Sequence, residues 1–336
     1  MSITASRSTS TLAGFISGGR TWIGHAEEAH KYEGAVPRQD AVDLLSFPVV
    51  EGSIHSVVIT EDGVDDIIDE SRKSIIRLDT RETFGVFKQG YKPHLYPKWL
   101  VENVDLLLDG GLAIGTVALT NGGARAILQA EMPEDRIATA PGANPVPHRP
   151  HISAMTSLDG SIATTYGIGT RVLICENELS LAGFRSLAKG FSRFTKIRHT
   201  SGSLGRALEV RENLGIVAEE IGDAFDEQFR TLVAEYVSDA KWDEFVKAYT
   251  GVDKAKEGRS KTMAQGKADA LNTLWRSDER AAPWKNSAYG VLAAANTAQH
   301  HVFGADKGRV ERNQNRVIQD EWAKFDTSVL SILASV

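Results

Sequence analysis

The sequence predicts an α+β fold, with antiparallel β-hairpins and packed helices followed by a mostly helical C-terminal half. Alternating apolar and polar segments, separated by Gly-containing turns, dominate residues 47–175. Apolar residues at helical spacing dominate from residue 204 onward. Because strands come first and helices follow, the order indicates segregated layers and argues against an alternating parallel sheet.

Composition and charge narrow the class of protein. The chain has 336 residues, of which 42% are hydrophobic and 24% charged, as in ordinary globular proteins. A formal charge of −6 argues against a surface that coats nucleic acid all round, but it permits one basic groove. Cys175 is the single cysteine, so we expect no internal disulfide and a location in the host cytoplasm. No apolar run is long enough to predict a membrane span.

Three regions are predicted along the chain. Residues 1–20 are rich in Ser and Thr and are expected to form a disordered tail. Residues 21–203 should form an α+β core that holds the β-hairpins and a basic segment. Residues 204–336 should form a helical region, whose apolar stripe between Leu204 and Tyr236 fits either core packing or contact between copies.

The first strands and an acidic run precede the clearest hairpins. Alternation predicts strands at 47–51 and 54–60, and a β-like pattern runs through 74–87. The acidic run at 61–70 does not match a calcium loop in spacing, so we interpret it as a solvated turn and helix start. Apolar spacing over 95–109 predicts a helix.

Two hairpins are predicted from their turns. Strands 112–119 and 124–131 meet at Asn121-Gly122, a pair that suits a tight turn with positive φ. Asp159-Gly160 turns the second hairpin in the same way. Between the hairpins, the proline-rich stretch 132–150 is expected to be a surface loop.

The remaining elements follow the second hairpin. Its return strand is 161–166, a further strand is predicted at 170–175, and Asn177 is expected to cap a helix that begins at Glu178. The helical region is predicted in pieces, with a polar loop at 251–266; its helices are 204–238 (one or two helices), 240–249, 267–276, 284–302 and 309–333.

The strongest functional signal is a basic segment, residues 185–208. It contains six Lys or Arg residues and no carboxylate, and three phenylalanines lie at or beside it. Cations with flat rings are the combination that holds single-stranded nucleic acid. The alternative is a solvated helix end and turn whose phenylalanines face the core.

Catalytic motifs are absent from the sequence. No nucleotide-phosphate loop, nucleophile elbow or zinc-protease motif occurs, so we expect no catalytic residues, no metal and no cofactor. Asp159 fits the turn better than acid–base chemistry, and Cys175 fits an apolar strand better than a nucleophile. His300 and His301 are neighbours on a helix and point too far apart to share a metal. The chain is therefore not expected to be an enzyme.

Basic residues outside this segment complete the candidate interface. Arg171 opens a predicted strand beside apolar residues, so its guanidinium needs a carboxylate or a phosphate as partner. The candidate nucleic-acid contacts are Arg171, Arg193, Lys196, Arg198 and His199, with Lys92 and Arg125 as lesser candidates.

Several short motifs resemble a known family. They are Thr21-Trp22-Ile23-Gly24, Phe84-Gly85-Val86 followed by Tyr91-Lys92-Pro93, Asn121-Gly122-Gly123-Ala124-Arg125, Ser157-Leu158-Asp159-Gly160-Ser161, Arg171-Val172 with Cys175, Asn177 and Leu179, Ile197-Arg198-His199-Thr200, and the stretch from Ala288 to His301. Together they resemble the phage/plasmid-like family that carries domain of unknown function 932, over about residues 20 to 305. The resemblance implies a bacteriophage or mobile-element origin and a cytoplasmic protein. The expected core is also similar, at the level of fold, to phage single-strand annealing proteins of the Redβ, RecT and Erf kind.

The leading hypothesis is a phage protein that binds or anneals single-stranded DNA in replication or recombination, without nucleotide hydrolysis. It would be a homo-oligomer and would meet host or phage replication proteins. One alternative is a non-enzymatic interaction or assembly factor that modulates a host protein through residues 61–70 and the helical stripe. Another is a metal-dependent nucleic-acid-processing enzyme that uses Asp159, His199, His300 and the same acidic run.

Overall fold

A computed structural model describes most of the chain. The described residues are 14–18, 30–32, 34–61, 63–105, 108, 111–132, 134–172, 178–179, 194–200, 203, 222–305 and 321–336. In 14–18, 30–31, 171–172, 178–179, 194–196 and 321–323 the description extends to the backbone alone. The predictions for Cys175, Asn177 and Arg193 lie outside these residues.

Twelve strands are defined in the described residues. They are β1 Gly14–Gly18, β2 His30–Tyr32, β3 Val49–Thr60, β4 Gly63–Arg77, β5 Glu82–Lys88, β6 Ala113–Thr120, β7 Arg125–Glu131, β8 Arg136–Ala138, β9 Val146–Ser157, β10 Thr164–Val172, β11 Glu178–Leu179 and β12 Phe194–Ile197. The helices are α1 Arg38–Leu45, α2 at 222–234, α3 Asp239–Thr250, α4 Arg259–Ser277, α5 Ala288–Thr297 and α6 Glu321–Ser335. Short π- or 3₁₀-helical turns lie at Pro97–Val101, Glu102–Val104, Asn121–Gly123, Ala282–Trp284 and Ala298–Val302. Since most of the helix lies after residue 222, the α+β prediction is confirmed.

The larger sheet has nine strands in the order β11-β10-β9-β7-β6-β1-β2, with β12 also on β10 and β8 on β9. All neighbours are antiparallel except β1 and β2, which are parallel. β12 pairs with Thr164–Gly167 of β10, while β11 pairs with Thr170 and Arg171 further along the same strand. Residues 194–197, the first described residues of the basic segment, thus form a strand that pairs with β10, and not a helix end.

Both predicted hairpins are confirmed. β6 and β7 join at Asn121 and Gly122, whose φ angles are 51° and 66°, as a tight turn with positive φ requires. β9 and β10 join through residues 158–163, where Gly160 has φ 69°. β10 is one continuous strand, although the sequence predicts two, because its central Gly167 and Gly169 both keep their pairing with β9.

A smaller sheet, in the order β3-β4-β5, carries a projecting ribbon. β5 pairs with β4 only from Arg72 to Arg77, whereas β3 and β4 continue together to Thr60 and Gly63. Pairing shifts between Ser53 and His55, where β4 has additional residues. We call residues 54–71 the β-arm.

The helical half packs around helix α5, of which every residue is buried. Its Asn296 donates a hydrogen bond of 2.8 Å to buried Asp326 of α6. Between α3 and α4, the rings of Trp242 and Trp275 stack with centroids 4.2 Å apart. None of the described helices combines the length and apolarity needed to cross a bilayer.

Ion pairs and aromatic contacts attach the helices to the larger sheet. Arg136 of β8 forms hydrogen bonds with Asp226 of α2, and the ring of His148 lies 4.5 Å from that of Phe229. The indole of Trp284 donates a 3.1 Å hydrogen bond to the backbone oxygen of Asn144. The helical half therefore covers the β8–β9 part of the sheet.

Three other segments differ from the sequence predictions in the first half of the chain. Gly14–Gly18, within the expected disordered tail, forms β1 because it finds two strand partners, β2 and β6. The acidic run at 61–70 belongs to a hairpin instead of starting a helix, because residues 63–68 pair with β3. The expected loop at 132–150 contains β8 and the start of β9, since prolines in extended backbone keep a compatible φ.

Two further segments differ in the second half. Glu178 and Leu179, predicted to begin a helix, pair with β10 as β11. Helix α4 begins at Arg259, inside the expected loop at 251–266, because Gly266 does not interrupt a helix whose other residues favour it. The predicted helices at 240–249 and 284–302 correspond to α3 and to α5 with its π-helical end.

Candidate functional site

An aromatic column lies where the ends of β5, β9, β10 and β12 meet. Its members are Phe87, Tyr91, His199, His94 and Trp99, in that order. Ring centroids are 4.0 Å apart for Phe87 and Tyr91, 5.2 Å for Tyr91 and His199, 4.1 Å for the two histidines, and 3.6 Å for His94 and Trp99. The column joins residues that are remote in sequence into one rigid support.

Hydrogen bonds connect the same rings from the side. The Tyr91 hydroxyl lies 2.7 Å from Nδ1 of His199, and Nε2 of His199 lies 3.2 Å from Oγ1 of Thr156. The hydroxyls of Thr156 and Thr164 are 2.7 Å apart. Thr164 Oγ1 is in turn 2.6 Å from Nδ1 of His94.

The chain of hydrogen bonds ends at a backbone carbonyl. Nε2 of His94 lies 3.0 Å from Oγ of Ser203, whose hydroxyl donates to the carbonyl of Thr200 at 2.5 Å. Because Ser203 uses its proton there, Nε2 of His94 must carry hydrogen and Nδ1 must accept. The same logic, followed through the two threonines, makes Nε2 of His199 a donor and Tyr91 the donor to its Nδ1. We call this series the polar chain.

Burial keeps the polar chain uncharged. It lowers the pKa of His94 to about 3, with the neighbouring His199 adding to the effect, and lowers the pKa of His199 to about 4. Burial also raises the pKa of Tyr91, and Asp159 adds to that shift. Two neutral imidazoles are what the one-directional donor pattern requires.

Removing the hydroxyl of Tyr91 tests the polar chain at its other end. We expect Tyr91→Phe to lower the free energy of unfolding by about 1–2 kcal/mol, because Nδ1 of His199 loses its donor inside the protein. Urea unfolding at neutral pH measures the change. Tyr236→Phe is the matched control, since Tyr236 is 71% exposed. Equal stabilities for the two variants would contradict the assigned chain.

Two predicted contact residues support the site from inside. His199 is 8% exposed and belongs to the column and the polar chain. Arg125 lies 3.4 Å from the carboxylate of Asp159 and donates a 2.8 Å hydrogen bond to Ser161, so its guanidinium fixes the β9–β10 turn. Neither side chain is placed as a free cation toward solvent.

Two other predicted residues, Lys92 and Arg198, come together on the surface. Both are exposed, and the backbone N–H of Lys92 donates a 3.2 Å hydrogen bond to the carbonyl of His199, next to Arg198. Lys88, which the sequence analysis did not select, belongs to the same place, because its carbonyl accepts a 3.0 Å hydrogen bond from Tyr91. We call Lys88, Lys92 and Arg198 the basic rim. Among the described residues, none of the three forms an ion pair.

The remaining predicted contacts are located by backbone alone. Arg171 lies in β10 opposite Arg149 of β9 and Glu178 of β11. Lys196 lies in β12 opposite Thr165. Arg193 precedes β12 and lies outside the described residues.

Sequence reasoning missed most of the column and the polar chain. Tyr91 and His199 are 108 residues apart, and His94 and Ser203 are 109 apart, so no local pattern connects them. The local sequence Gly90-Tyr91-Lys92-Pro93 predicts only a turn. Within the part of the chain that the structure describes, no three His, Cys, Asp or Glu side chains are grouped to hold a metal ion.

The fold and site define an α+β protein with a buried, neutral aromatic–polar support beneath a basic surface. The model of the family with domain of unknown function 932 (DUF932) matches residues 83–321, and the chain belongs to this family. The match includes the aromatic column and the basic rim, whereas the β-arm precedes it. No protein of curated function is detectably similar to the chain. No solved structure matches it either.

Proposed function

We propose that the protein binds single-stranded DNA along the basic rim and acts in phage or mobile-element replication or recombination without nucleotide hydrolysis. The observation that carries this proposal is three exposed cations, free of ion pairs in the described residues, beside a part-exposed aromatic ring. Phe87 ends the aromatic column, is half-buried, and stacks on Tyr91, which precedes Lys92 in the chain. Cations for phosphates and a flat ring for bases are the elements of a single-strand site.

The buried residues give this surface its rigidity. Lys92 is fixed through its backbone to His199, and His199 is fixed by Tyr91 and Thr156. A preorganised cation loses less freedom on binding than one on a mobile loop. Thus His199 acts as a positioning residue in this proposal, and Arg125 has the same role at the neighbouring turn. Arg171, Arg193 and Lys196 extend the proposed path on the strength of the sequence pattern.

The test is a triple variant, Lys88→Gln/Lys92→Gln/Arg198→Gln. We expect its affinity for a labelled single-stranded oligonucleotide to fall by one to two orders of magnitude. Its slope of log K against log salt should become shallower by roughly two, since each phosphate contact on a single strand contributes about 0.7. Fluorescence anisotropy over a salt series measures both quantities.

A matched control separates a local site from net charge. Lys254→Gln/Lys256→Gln/Arg276→Gln removes the same charge from exposed positions on the helical half. We expect wild-type affinity and a wild-type salt slope for this control. If both triple variants weaken binding equally, the basic rim is not the site.

A second candidate function is an interaction or assembly factor. The observation that favours it is the β-arm, which is acidic, apolar and exposed along its length. Such a surface suits contact with a basic protein partner. This candidate would be favoured over the first by two results together. The wild type would retain a stoichiometric protein partner that is lost when the β-arm is removed, and the wild type would not bind DNA.

A further inference from the structure

The β-arm stands away from the rest of the fold as a two-stranded ribbon. Six cross-strand pairs run from His55 and Ile68 to Thr60 and Gly63, and no third strand covers them in the described residues. At about 3.4 Å per residue, this ribbon projects roughly 20 Å. An isolated two-stranded hairpin is marginally stable in water, so a surface that covers it would stabilise it.

One face of the β-arm is apolar and exposed. Val57, Ile59, Val64 and Ile68 are exposed to 65%, 81%, 68% and 55%. The register and the alternation of side chains place these four residues on the same face, which also holds the ion pair between His55 and Asp66. Within the part of the chain that the structure describes, none of the four belongs to the hydrophobic core or packs against it. Contiguous apolar surface of this kind marks an interaction site.

The charge of the β-arm restricts what can cover it. Residues 54–71 contain six carboxylates, Glu61, Asp62, Asp65, Asp66, Asp69 and Glu70, and no Lys or Arg. Two β-arms packed on each other would bring these carboxylates together, and like charges at an interface oppose association. The occupant must therefore combine apolar surface with positive charge.

A groove on the same chain has that combination. It has a volume of about 480 Å³ and lies between the segment from α1 to β3 and the π-helical turn that begins at Pro97. Leu45, Phe47, Leu95 and Tyr96 are among its apolar lining residues. Leu95 is 48% exposed, although it is part of an otherwise packed region.

Positive charge lies at this groove. Lys98 lines it and is exposed. Across the described ranges, Lys98 forms no ion pair. Glu102 also lines the groove, so the cationic part is the side formed by Lys98.

We propose that the β-arm of one copy docks into this groove of a second copy. The apolar face enters the groove, and carboxylates of the β-arm lie near Lys98. The contact is head-to-tail, because the β-arm and the groove are different surfaces. A copy that has bound a neighbour through one surface can still bind another copy through the other. Such contacts produce rings or filaments instead of closed dimers.

Two variants, each disabling one side, test the contact without any nucleic acid. Ile59→Thr/Val64→Thr/Ile68→Thr disables the β-arm but retains β-branched residues in the strands. Leu95→Asp/Lys98→Glu disables the groove at exposed positions. The matched control is Ile137→Thr/Met263→Thr, which changes apolar residues that are 59% and 56% exposed elsewhere. Circular dichroism and thermal unfolding identify any variant that fails to fold.

Sedimentation velocity over a concentration series gives the result. We expect the wild type and the control to form species larger than a dimer as concentration rises, and each one-sided variant to remain monomeric. An equimolar mixture of the two one-sided variants retains one intact β-arm and one intact groove, so it should form a dimer and stop there.

Three results would overturn the proposal. A wild type that remains monomeric at all concentrations would assign the β-arm to a different partner. Assembly of the β-arm variant as large as that of the wild type would assign the contact to another surface. A mixture that stays monomeric, although the wild type assembles, would show that β-arm and groove do not bind each other.

Discussion

Lowering the pH from about 7 to about 5 is expected to destabilise the protein by roughly 4 kcal/mol through His94 and His199. Burial lowers their pKa values to about 3 and about 4, while an unfolded histidine has a value near 6.5. Below about pH 6.5 the unfolded chain therefore binds protons that the folded chain does not. Stability falls as the pH falls, by about 2 kcal/mol for each histidine between pH 6.5 and 5.

The variant His94→Gln/His199→Gln removes this pH dependence. Glutamine can both donate and accept in place of each ring, but it does not titrate. The double variant should be less stable than the wild type at neutral pH and should lose much less stability on acidification, measured by urea unfolding at several pH values. Burial also lowers the pKa of His148, so a smaller slope remains. His55→Gln, on the exposed β-arm, should behave as the wild type does.

An identical loss of stability in the wild type and the double variant would contradict the buried neutral pair. His199→Gln alone provides a second reading if the double variant is too unstable to measure. Its slope should lie between the other two, because His94 still titrates.

The largest effect of a single substitution is expected for Gly290→Ala, with a loss of more than about 3 kcal/mol in the free energy of unfolding. A Cβ at position 290 would lie 2.1 Å from the backbone oxygen of Trp284 and 2.7 Å from its carbonyl carbon. That carbonyl cannot turn away easily, because it accepts hydrogen bonds from the hydroxyl and backbone N–H of Ser287. Ser287 in turn caps α5 through the N–H of Gly290.

Gly266→Ala is the matched control for this substitution. Gly266 lies within helix α4 and nothing lies within 4 Å of the Cβ that alanine would add. Alanine is the better helix former, so this variant should gain about 0.5–1 kcal/mol. Thermal and urea unfolding of both variants give the comparison. A Gly290→Ala protein as stable as the wild type would mean that α5 and Trp284 are not packed as described.

The sequence predicted the parts of the fold that local chemistry decides. Turns with positive φ at Asn121-Gly122 and Asp159-Gly160 defined both hairpins of the larger sheet. Ser238 and Gly251, which cap the two ends of α3, agree with its predicted bounds. In these places one short stretch contains all the determinants, so no distant partner is needed to identify the element.

The elements that were missed depend on distant partners. Gly14–Gly18 is a strand because β6, about a hundred residues later, supplies its ladder. The acidic run at 61–70 is a strand because β3 pairs with it, although carboxylates have low β propensity. The aromatic column is harder still to predict, because its stacking depends on three separate segments that meet only after folding.

The candidate site was predicted in part for the same reason. Charge in the basic segment predicts Arg198, and Lys92 is a lesser candidate from outside that segment. A backbone hydrogen bond from Lys92 to His199 brings the two positions together. Burial cannot be read from charge, and it is burial that makes His199 a support for the surface. Arg125 likewise forms an ion pair with Asp159, and its charge in the sequence does not reveal this partner.

Binding of single-stranded DNA to the wild-type protein tests the central claim most directly. The measurement is fluorescence anisotropy of a labelled single-stranded oligonucleotide, beside a duplex of equal length, at low and physiological salt. We expect tighter binding of the single strand, with affinity that falls steeply as salt rises. No binding at low salt, or equal affinity for the duplex, would contradict it.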